Sequence, residues 1–281
     1  MIGPGERSKF PLPEALSRTD LERKIAAAYP DEFGRWLASQ IRPAILPWPR
    51  PEPADPTVSR FGGKPLAPRD WTWPDYYDEP MLFIAQIDCA ALQGTAVASL
   101  LPPDGLLSFF GDPDLSGGSD FGGGKERGAV FHWPRGTELV MRDPPEPDIE
   151  IVPCAGIEFL ETLALPHLFS SIVERHAKGG VDDRDFRMRY PERNGIDRMA
   201  DGTKVSPDNM SQLFGWPRWV QNELYAPDTR AKWRLLLQVG TYDNGVKSRW
   251  WGPGGSLYFM IRETDLAARR FDRVEFDAQF S

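Results

Sequence analysis

The chain has 281 residues, of which 41% are hydrophobic and 26% charged, and its formal net charge is −8. This composition is typical of a soluble globular protein with a large core, and it excludes a coiled coil, a collagen-like fibre and a disordered chain. Because an acidic protein repels a phosphate backbone, we expect no nucleic-acid partner. We also expect no membrane partner, because no apolar run approaches the length of a membrane span.

Residues 1–57 are predicted to form an N-terminal arm, two short helices and a proline-rich strap. Thr19 or Asp20 is expected to cap a helix that ends at Ala28, and Pro30 suits the first turn of a second helix. Six prolines between residues 43 and 56 favour an extended, polyproline-like conformation. We interpret this stretch as a rigid strap on the domain surface, with a PxxP ligand for a partner as the alternative.

From residue 58 onward, short apolar segments alternate with turns, which predicts a β-rich domain over residues 58–281. The predicted strands are 81–87, 106–110, 129–133, 138–141, 157–163, 233–239, 257–262 and 274–276. A capping box of Ser171 and Glu174 predicts one helix, and Asp265 is expected to cap another. The glycine- and aspartate-rich loop 111–128 is predicted to be mobile; a calcium site there is the alternative, although the spacing is not that of an EF-hand.

An internal repeat is visible at a nearly constant offset. The Gly-x-Pro turn that begins at Gly63 recurs at Gly215, and Gln86 recurs at Gln238 with the same separation. This spacing predicts an α+β, β-rich fold of two duplicated antiparallel β units, packed face to face about a pseudo-twofold axis over one shared core, with short N-terminal and peripheral helices. The halves are expected at about residues 58–165 and 205–281.

The segments that repeat also carry a family resemblance. Residues 61–65, 81–88 and 101–110 resemble the front half of the YwqG-like family (DUF1963), and residues 214–221 and 235–266 resemble its rear half. The resemblance implies a duplicated β-rich fold and a bacterial, cytoplasmic protein, with no established activity. Some relatives are suspected of being immunity proteins. The chain has Gly240-Thr241 and Pro253 where the family usually has acidic residues, so any ligand role of those carboxylates is missing here.

No common catalytic or cofactor motif is present. The chain has no P-loop pattern, no Gly-x-Ser-x-Gly elbow, and no histidine or cysteine pair at metal-ligand spacing. We therefore expect no metal, no cofactor and no catalytic residue of a recognised type. Because the N-terminus lacks the apolar run of a signal peptide, we expect a cytoplasmic location, with Cys89 and Cys154 as reduced, buried thiols.

The leading hypothesis is a non-enzymatic binding protein that holds a protein partner or a small polar ligand in a cleft between the two repeats. Tryptophans in turns and amides at strand ends suit such a cleft. The candidate binding residues are Trp71, Trp73, Gln86, Asp88, Trp216, Gln221, Gln238, Trp250 and Trp251. In an immunity-type role, the acidic chain would suit a basic partner.

Two other functions stay open. An enzyme, hydrolase-like, would use an unrecognised site built from Asp88, Asp104, His132 or His167. A role in assembly would act through the proline strap. The oligomeric state does not follow from the sequence.

Overall fold

The computed structural model describes residues 17–112, 127–147, 149, 151–177, 181, 184–191, 211–221, 223, 232–240 and 255–280. Within these residues the fold is α+β and β-rich, as predicted. Five α-helices are present in this part: α1 (Arg18–Ala28), α2 (Glu32–Ser39), α3 (Ser171–His176), α4 (Arg184–Arg189) and α5 (Glu263–Ala267). None of these helices has the length and apolar character needed to cross a membrane.

The predicted helix starts are wrong by one to a few residues. Helix α1 begins after Ser17, whose Oγ accepts the Asp20 N–H at 3.1 Å, so neither Thr19 nor Asp20 is the cap. Helix α5 begins after Arg262, and its Asp265 carboxylate instead pairs with Arg270. Each error arises because several polar residues compete for one cap, and the choice depends on the path by which the chain enters the helix.

The starts of α2 and α3 differ in the same way. Asp31 caps α2 by accepting the Gly34 N–H at 3.2 Å, so Pro30 lies before the cap rather than in the first turn. Ser170 precedes α3, so Ser171 is its first residue and no capping box with Glu174 forms. The Ser170 hydroxyl donates to the carbonyl of His167 instead, at 2.6 Å.

Fourteen β-strands lie in the described part of the chain. They are β1 (Arg42–Arg50), β2 (Arg60–Phe61), β3 (Leu66–Ala67), β4 (Asp75–Tyr76), β5 (Glu79–Pro80), β6 (Leu82–Asp88), β7 (Leu106–Gly111), β8 (Gly128–Trp133), β9 (Val140–Met141), β10 (Ala155–Ala164), β11 (Gln212–Phe214), β12 (Trp233–Gly240), β13 (Ser256–Arg262) and β14 (Glu275–Gln279). The predicted strands match β6–β10 and β12–β14, with most ends close to those observed.

Ten of these strands form one antiparallel sheet, in the order β14-β13-β12-β11-β1-β10-β2-β6-β7-β8. We call β2, β6, β7 and β8 the first half-sheet, and β11, β12, β13 and β14 the second half-sheet. Strands β1 and β10 lie between them. The pairs β3–β9 and β4–β5 are separate two-stranded ribbons.

The proline-rich strap was predicted to lie on the surface, and this is wrong for its first part. Residues 43–50 belong to β1, which pairs with β10 along its whole length and with β11 only at Ala44 and Ile45. The prolines of β1 are Pro43, Pro47 and Pro49. All three prolines have odd residue numbers, so the N–H groups that they lack would all face the same edge of β1. The backbone hydrogen bonds to the strand on the other edge can therefore all form.

The sheet curls until its two outer strands meet. Phe276 of β14 is fully buried, and a Cβ added to Gly128 of β8 would lie 2.4 Å from the Phe276 Cβ. Between the half-sheets, the rings of Phe109 and Phe259 lie 5.1 Å apart. The main hydrophobic core therefore fills the space between the half-sheets, where the sequence had suggested a ligand cleft.

A second core belongs to the helices. Helices α1, α2 and α3 pack with the segment that follows β10, and the buried side chains are Leu21, Ile25, Leu37, Leu165, Leu168 and Val173. This helical unit lies beside the central strands because Leu165 directly follows β10 in the chain. It forms one wall of the cleft described below.

One buried carboxylate lies on the outer side of the closing strand. Asp277 of β14 is 4% exposed. Burial raises the pKa of Asp277 to about 6, although a hydrogen bond from Gln279 and the charge of Arg127 oppose the rise. The ionised carboxylate at neutral pH therefore destabilises the folded state.

We expect Asp277→Asn to be more stable than the parent at pH 8, by roughly 2 kcal/mol. The folded-state pKa is above the unfolded value, so the folded state gains stability from the bound proton below about pH 4 and loses it as the pH rises through 6. Urea unfolding between pH 4 and 8 measures the effect. The exposed Asp272→Asn is the control, and equal pH profiles for all three proteins would contradict the prediction.

Candidate functional site

Gln86 and Gln238, predicted to line a cleft, are fully buried inside the half-sheets. Gln86 Oε1 accepts the Leu66 N–H at 3.2 Å, and Gln238 Oε1 accepts the Arg218 N–H at 3.0 Å. Each glutamine thus bonds to the backbone of a segment that precedes its own strand in the chain. Their amides are used for internal structure, and the structure does not place them at a cleft.

Trp71 and Trp73 lie together, with ring centroids 5.7 Å apart, on the outer face of the first half-sheet. Their rings cover Phe110, and Trp73 Nε1 donates to the Met81 carbonyl at 2.8 Å. Trp71 Nε1 is buried without a hydrogen-bond partner in the described part of the chain. Both rings act as a cover over the outer face of this half-sheet.

The remaining predicted site residues are dispersed. Asp88 caps the turn that follows β6, where its Oδ1 accepts the Ala90 N–H at 2.9 Å. Gln221 has an exposed side chain, and its backbone N–H donates to Gln279 Oε1. Trp250 and Trp251 lie outside the described residues, as does most of the loop 111–128. Among the candidates that the structure describes, Trp216 alone lines the cleft described next.

The cleft lies where β1, the loop after β11, strands β12 and β13, and the segment before α3 meet. Its lining residues are Arg42, His167, Ser170, Trp216, Pro217, Trp219, Glu223, Trp233 and Met260. Three tryptophans and one methionine make its walls largely apolar. The enclosed space is small, with room for about one water molecule.

Arg42 is the cation of this cleft. Its guanidinium carbon lies 3.3 Å from the centre of the Trp216 ring, and no hydrogen bond or ion pair within the described residues involves its guanidinium. Burial, together with the nearby charge of Arg234, lowers the pKa of Arg42 to about 9, and the charge of Glu263 opposes this shift. The group is still charged at neutral pH, so the cleft holds a desolvated cation without a paired anion.

Trp216 supports this arginine rigidly. The indole is 3% exposed, packs on Ala44 and Ala164, and donates from Nε1 to the Gln40 carbonyl at 2.7 Å. A cation stacked on a fixed ring loses little conformational freedom when a ligand binds to its edge. The arginine is therefore preorganised. No described side chain accepts a hydrogen bond from the N–H groups along the edge of its guanidinium.

Charges of both signs surround the cleft. Arg262 lies over the Trp233 ring at 5.2 Å, and Arg234 forms an ion pair with Glu263. Glu223 is an anion within the cleft, where its Oε2 accepts the Ser171 N–H at 2.8 Å. It does not form an ion pair with Arg42, so both charges line the same space separately.

The described residues give little support to a catalytic centre. Burial raises the pKa of Cys89 to about 12 and that of Cys154 to about 11, so both thiols are protonated at neutral pH. His132 of β8 contacts the Asp104 carbonyl through Nε2 at 3.0 Å. Asp104 lies in the turn that precedes β7. Within the part of the chain that is described, no group of three or more acidic, histidine or cysteine side chains is placed to hold a metal ion.

Sequence reasoning found Trp216 but missed Arg42 and Glu223. Arg42 follows Ile41 and precedes a proline, which is not a recognised binding motif. The available signal was an arginine at the start of a largely apolar strand, and that signal becomes specific only when Trp216 is known to lie beside it.

A family model described as "Domain of unknown function (DUF1963)" matches residues 59–279. A search of curated proteins gave no match. The matched range covers both half-sheets and the tryptophans of the cleft. It begins after β1, so Arg42 lies outside the matched range.

Proposed function

Since this chain belongs to the DUF1963 family, a family of domains of unknown function, we propose its role from the geometry of the cleft: it is a non-enzymatic binding protein that holds an anionic group of its ligand against Arg42. The observation that carries this proposal is the half-buried guanidinium on the Trp216 ring, which has no paired anion among the described residues. A buried cation is costly unless it is paired, and a ligand anion would supply the pair.

The apolar walls strengthen such an interaction. Trp219, Trp233 and Met260 place apolar surface around the space next to the guanidinium. A hydrogen bond between charged groups is stronger in such surroundings than in water, and the planar guanidinium presents its N–H donors as a fork that matches a carboxylate. Arg262, which lies over the ring of the lining residue Trp233, adds a positive charge that would attract an anion to an otherwise acidic chain.

Titration with acetate is the direct test of this proposal. We expect the indole N–H resonance of Trp216 to shift during an acetate titration monitored by NMR at constant ionic strength, with a Kd on the order of 10 mM. Arg42→Gln should abolish the shift, and Arg42→Lys should weaken it because one forked donor pair is lost. Unfolding curves check that both variants fold.

The control is Arg69→Gln, which removes an exposed arginine that lies 3.9 Å from Glu138. It should leave the acetate titration as it is in the parent. A Trp216 resonance that does not move with acetate, or that moves equally in Arg42→Gln, would contradict the proposed function.

We also propose that the two half-sheets are duplicated units related by a pseudo-twofold axis. Support comes from details that recur at equivalent positions of the two units. Gln86 faces Arg60 as Gln238 faces Gln212, and the ladder register shifts once in each unit, between Phe83 and Ala85 and between Leu235 and Leu237. The equivalent left-handed backbone positions are Gly62 and Gly63 in the first unit and Phe214 and Gly215 in the second.

On this proposal, the two units use the same outer face differently. In the first unit, Trp71 and Trp73 cover Phe110. In the second unit, the outer-face residues Trp233 and Met260 line the cleft, and Met260 occupies the position equivalent to Phe110. The binding site would then be the outer face of one repeat that its own loop does not fill, rather than a cleft between repeats.

A hydrolase-like enzyme remains the alternative function, but no observation on the described residues favours it. A bacterial origin, a cytoplasmic location and an immunity-type role likewise remain proposals that rest on the family resemblance. We further propose that β1 belongs to the same folding unit as the DUF1963 region, because it lies in the middle of the sheet.

A further inference from the structure

The size of the cleft restricts what can enter it. Pockets that enclose a whole small molecule usually have volumes of roughly 300–1,000 Å³. The space beside Arg42 holds about one water molecule. A ligand would therefore insert one small end group, while the rest of the molecule stays outside the cleft.

An exposed aromatic residue lies next to two lining residues of the cleft. Phe169 is 47% exposed, and its ring lies 5.8 Å from that of His167, which lines the cleft. Phe169 also directly precedes Ser170, another lining residue. An apolar side chain next to the inserted end group would pack on this ring and lose its contact with water.

The charge pattern favours a singly charged end group. Arg42 provides a forked set of donors for one carboxylate. A phosphate monoester carries close to two negative charges at neutral pH, and Glu223 in the same cleft would repel the second charge. Arg262, over the Trp233 ring, adds a positive charge beside the cleft that is complementary to an acidic segment.

We propose that the occupant of the Arg42 cleft is a carboxylate carried by a polypeptide, with an apolar residue beside it that packs on Phe169. This inference rests on the proposed function and names the class of its ligand. A C-terminal carboxylate and a glutamate or aspartate side chain share the required chemistry. The small volume of the cleft excludes a free nucleotide as the preferred ligand, and the negative charge of Glu223 excludes a phosphorylated segment.

Three short peptides test the proposal and separate the two sources. The first is acetyl-Gly-Gly-Leu with a free C-terminal carboxylate, the second is its C-terminal amide, and the third is the amide of acetyl-Gly-Leu-Glu-Gly. Binding is followed by the Trp216 indole resonance, with acetate as the reference. We expect the first or the third peptide to bind about tenfold more tightly than acetate, through the buried leucine, and the second not to bind.

The variant Phe169→Ala tests the apolar contact. We expect it to reduce the ratio of peptide affinity to acetate affinity by about fivefold. Tyr77→Ala is the matched control, because Tyr77 is also an exposed aromatic residue, at 82%, and lies in the turn between β4 and β5. It should leave that ratio at its parent value.

Three results would overturn the inference. Methyl phosphate that binds more tightly than acetate would contradict the selection for a carboxylate. Peptides that bind no more tightly than acetate would contradict a polypeptide ligand, and so would an unchanged ratio of peptide to acetate affinity in Phe169→Ala. Either result would leave the anion site of the proposed function standing. Absence of any acetate response would contradict both the anion site and the polypeptide ligand, so failure of the inference alone can be distinguished from failure of the proposed function.

Discussion

Replacing Gly215 by alanine should destabilise the protein by about 4 kcal/mol. Gly215 has φ +72°, and an added Cβ would lie 2.7 Å from the Ala164 Cβ and 2.9 Å from the Ala44 Cβ. Both are methyl groups fixed to central strands, so they cannot move without the backbone. The clash would also displace Trp216, the next residue, and we expect the acetate response of the cleft to be lost with it.

Two other glycines separate the backbone cost from the clash. Gly94 has φ +89° with nothing within 4 Å of an added Cβ, so Gly94→Ala should cost about 1 kcal/mol for the left-handed conformation alone. Gly63 has φ +74°, and its added Cβ would lie 3.2 Å from Cys154 Sγ, so its cost should be intermediate. Urea unfolding of the three variants gives the order, and equal losses for Gly215→Ala and Gly94→Ala would show that the close approach is absent.

The second large effect is expected at the place where the sheet closes. Phe276→Ala should lower the free energy of unfolding by about 4 kcal/mol, because a fully buried phenylalanine leaves a cavity between the half-sheets. The ring also lies 5.0 Å from that of Phe259, so its loss loosens the main core. Thermal and urea unfolding measure the change, and Phe276→Leu should recover more than half of it.

A double-mutant cycle tests the contact itself. A Cβ added at Gly111 meets the Phe276 ring at 2.8 Å, whereas one added at Gly128 meets the Phe276 Cβ at 2.4 Å. The cost of Gly111→Ala should therefore fall to below about 1 kcal/mol when Phe276→Ala removes the ring. Gly128→Ala should stay costly in the same background, because alanine retains the Cβ. Strict additivity in both cycles would place Phe276 away from the edge of the first half-sheet.

The strands and most of the helices could be predicted because their signals are local. An apolar run such as that of β6, bounded by Pro80 and the polar turn after Asp88, indicates a buried strand whatever it pairs with. Helix caps were less predictable. Ser17 and Asp20 are both good capping residues, and the entry path of the chain decides between them.

Strand β1 shows the limit of local patterns. Prolines predict an extended segment at a surface, since each one removes a ladder donor. Their common parity permits one complete ladder, and the sequence does not show that β10, which is distant along the chain, accepts it. The same limit applies to Arg42, whose neighbours along the chain do not indicate binding, whereas Trp216 is brought beside it only by the fold.

The β-rich class, the family, the repeated turns and the acidic net charge can be read from the sequence, because each is a property of composition or of short segments compared along the chain. Three findings required the tertiary structure. The space between the half-sheets is hydrophobic core, the predicted glutamines bond to backbone, and the Arg42 guanidinium stacks on the Trp216 ring. These outcomes depend on contacts between residues far apart in sequence. Which of these contacts form depends on the total burial of many side chains in the folded state. No single sequence motif specifies that total.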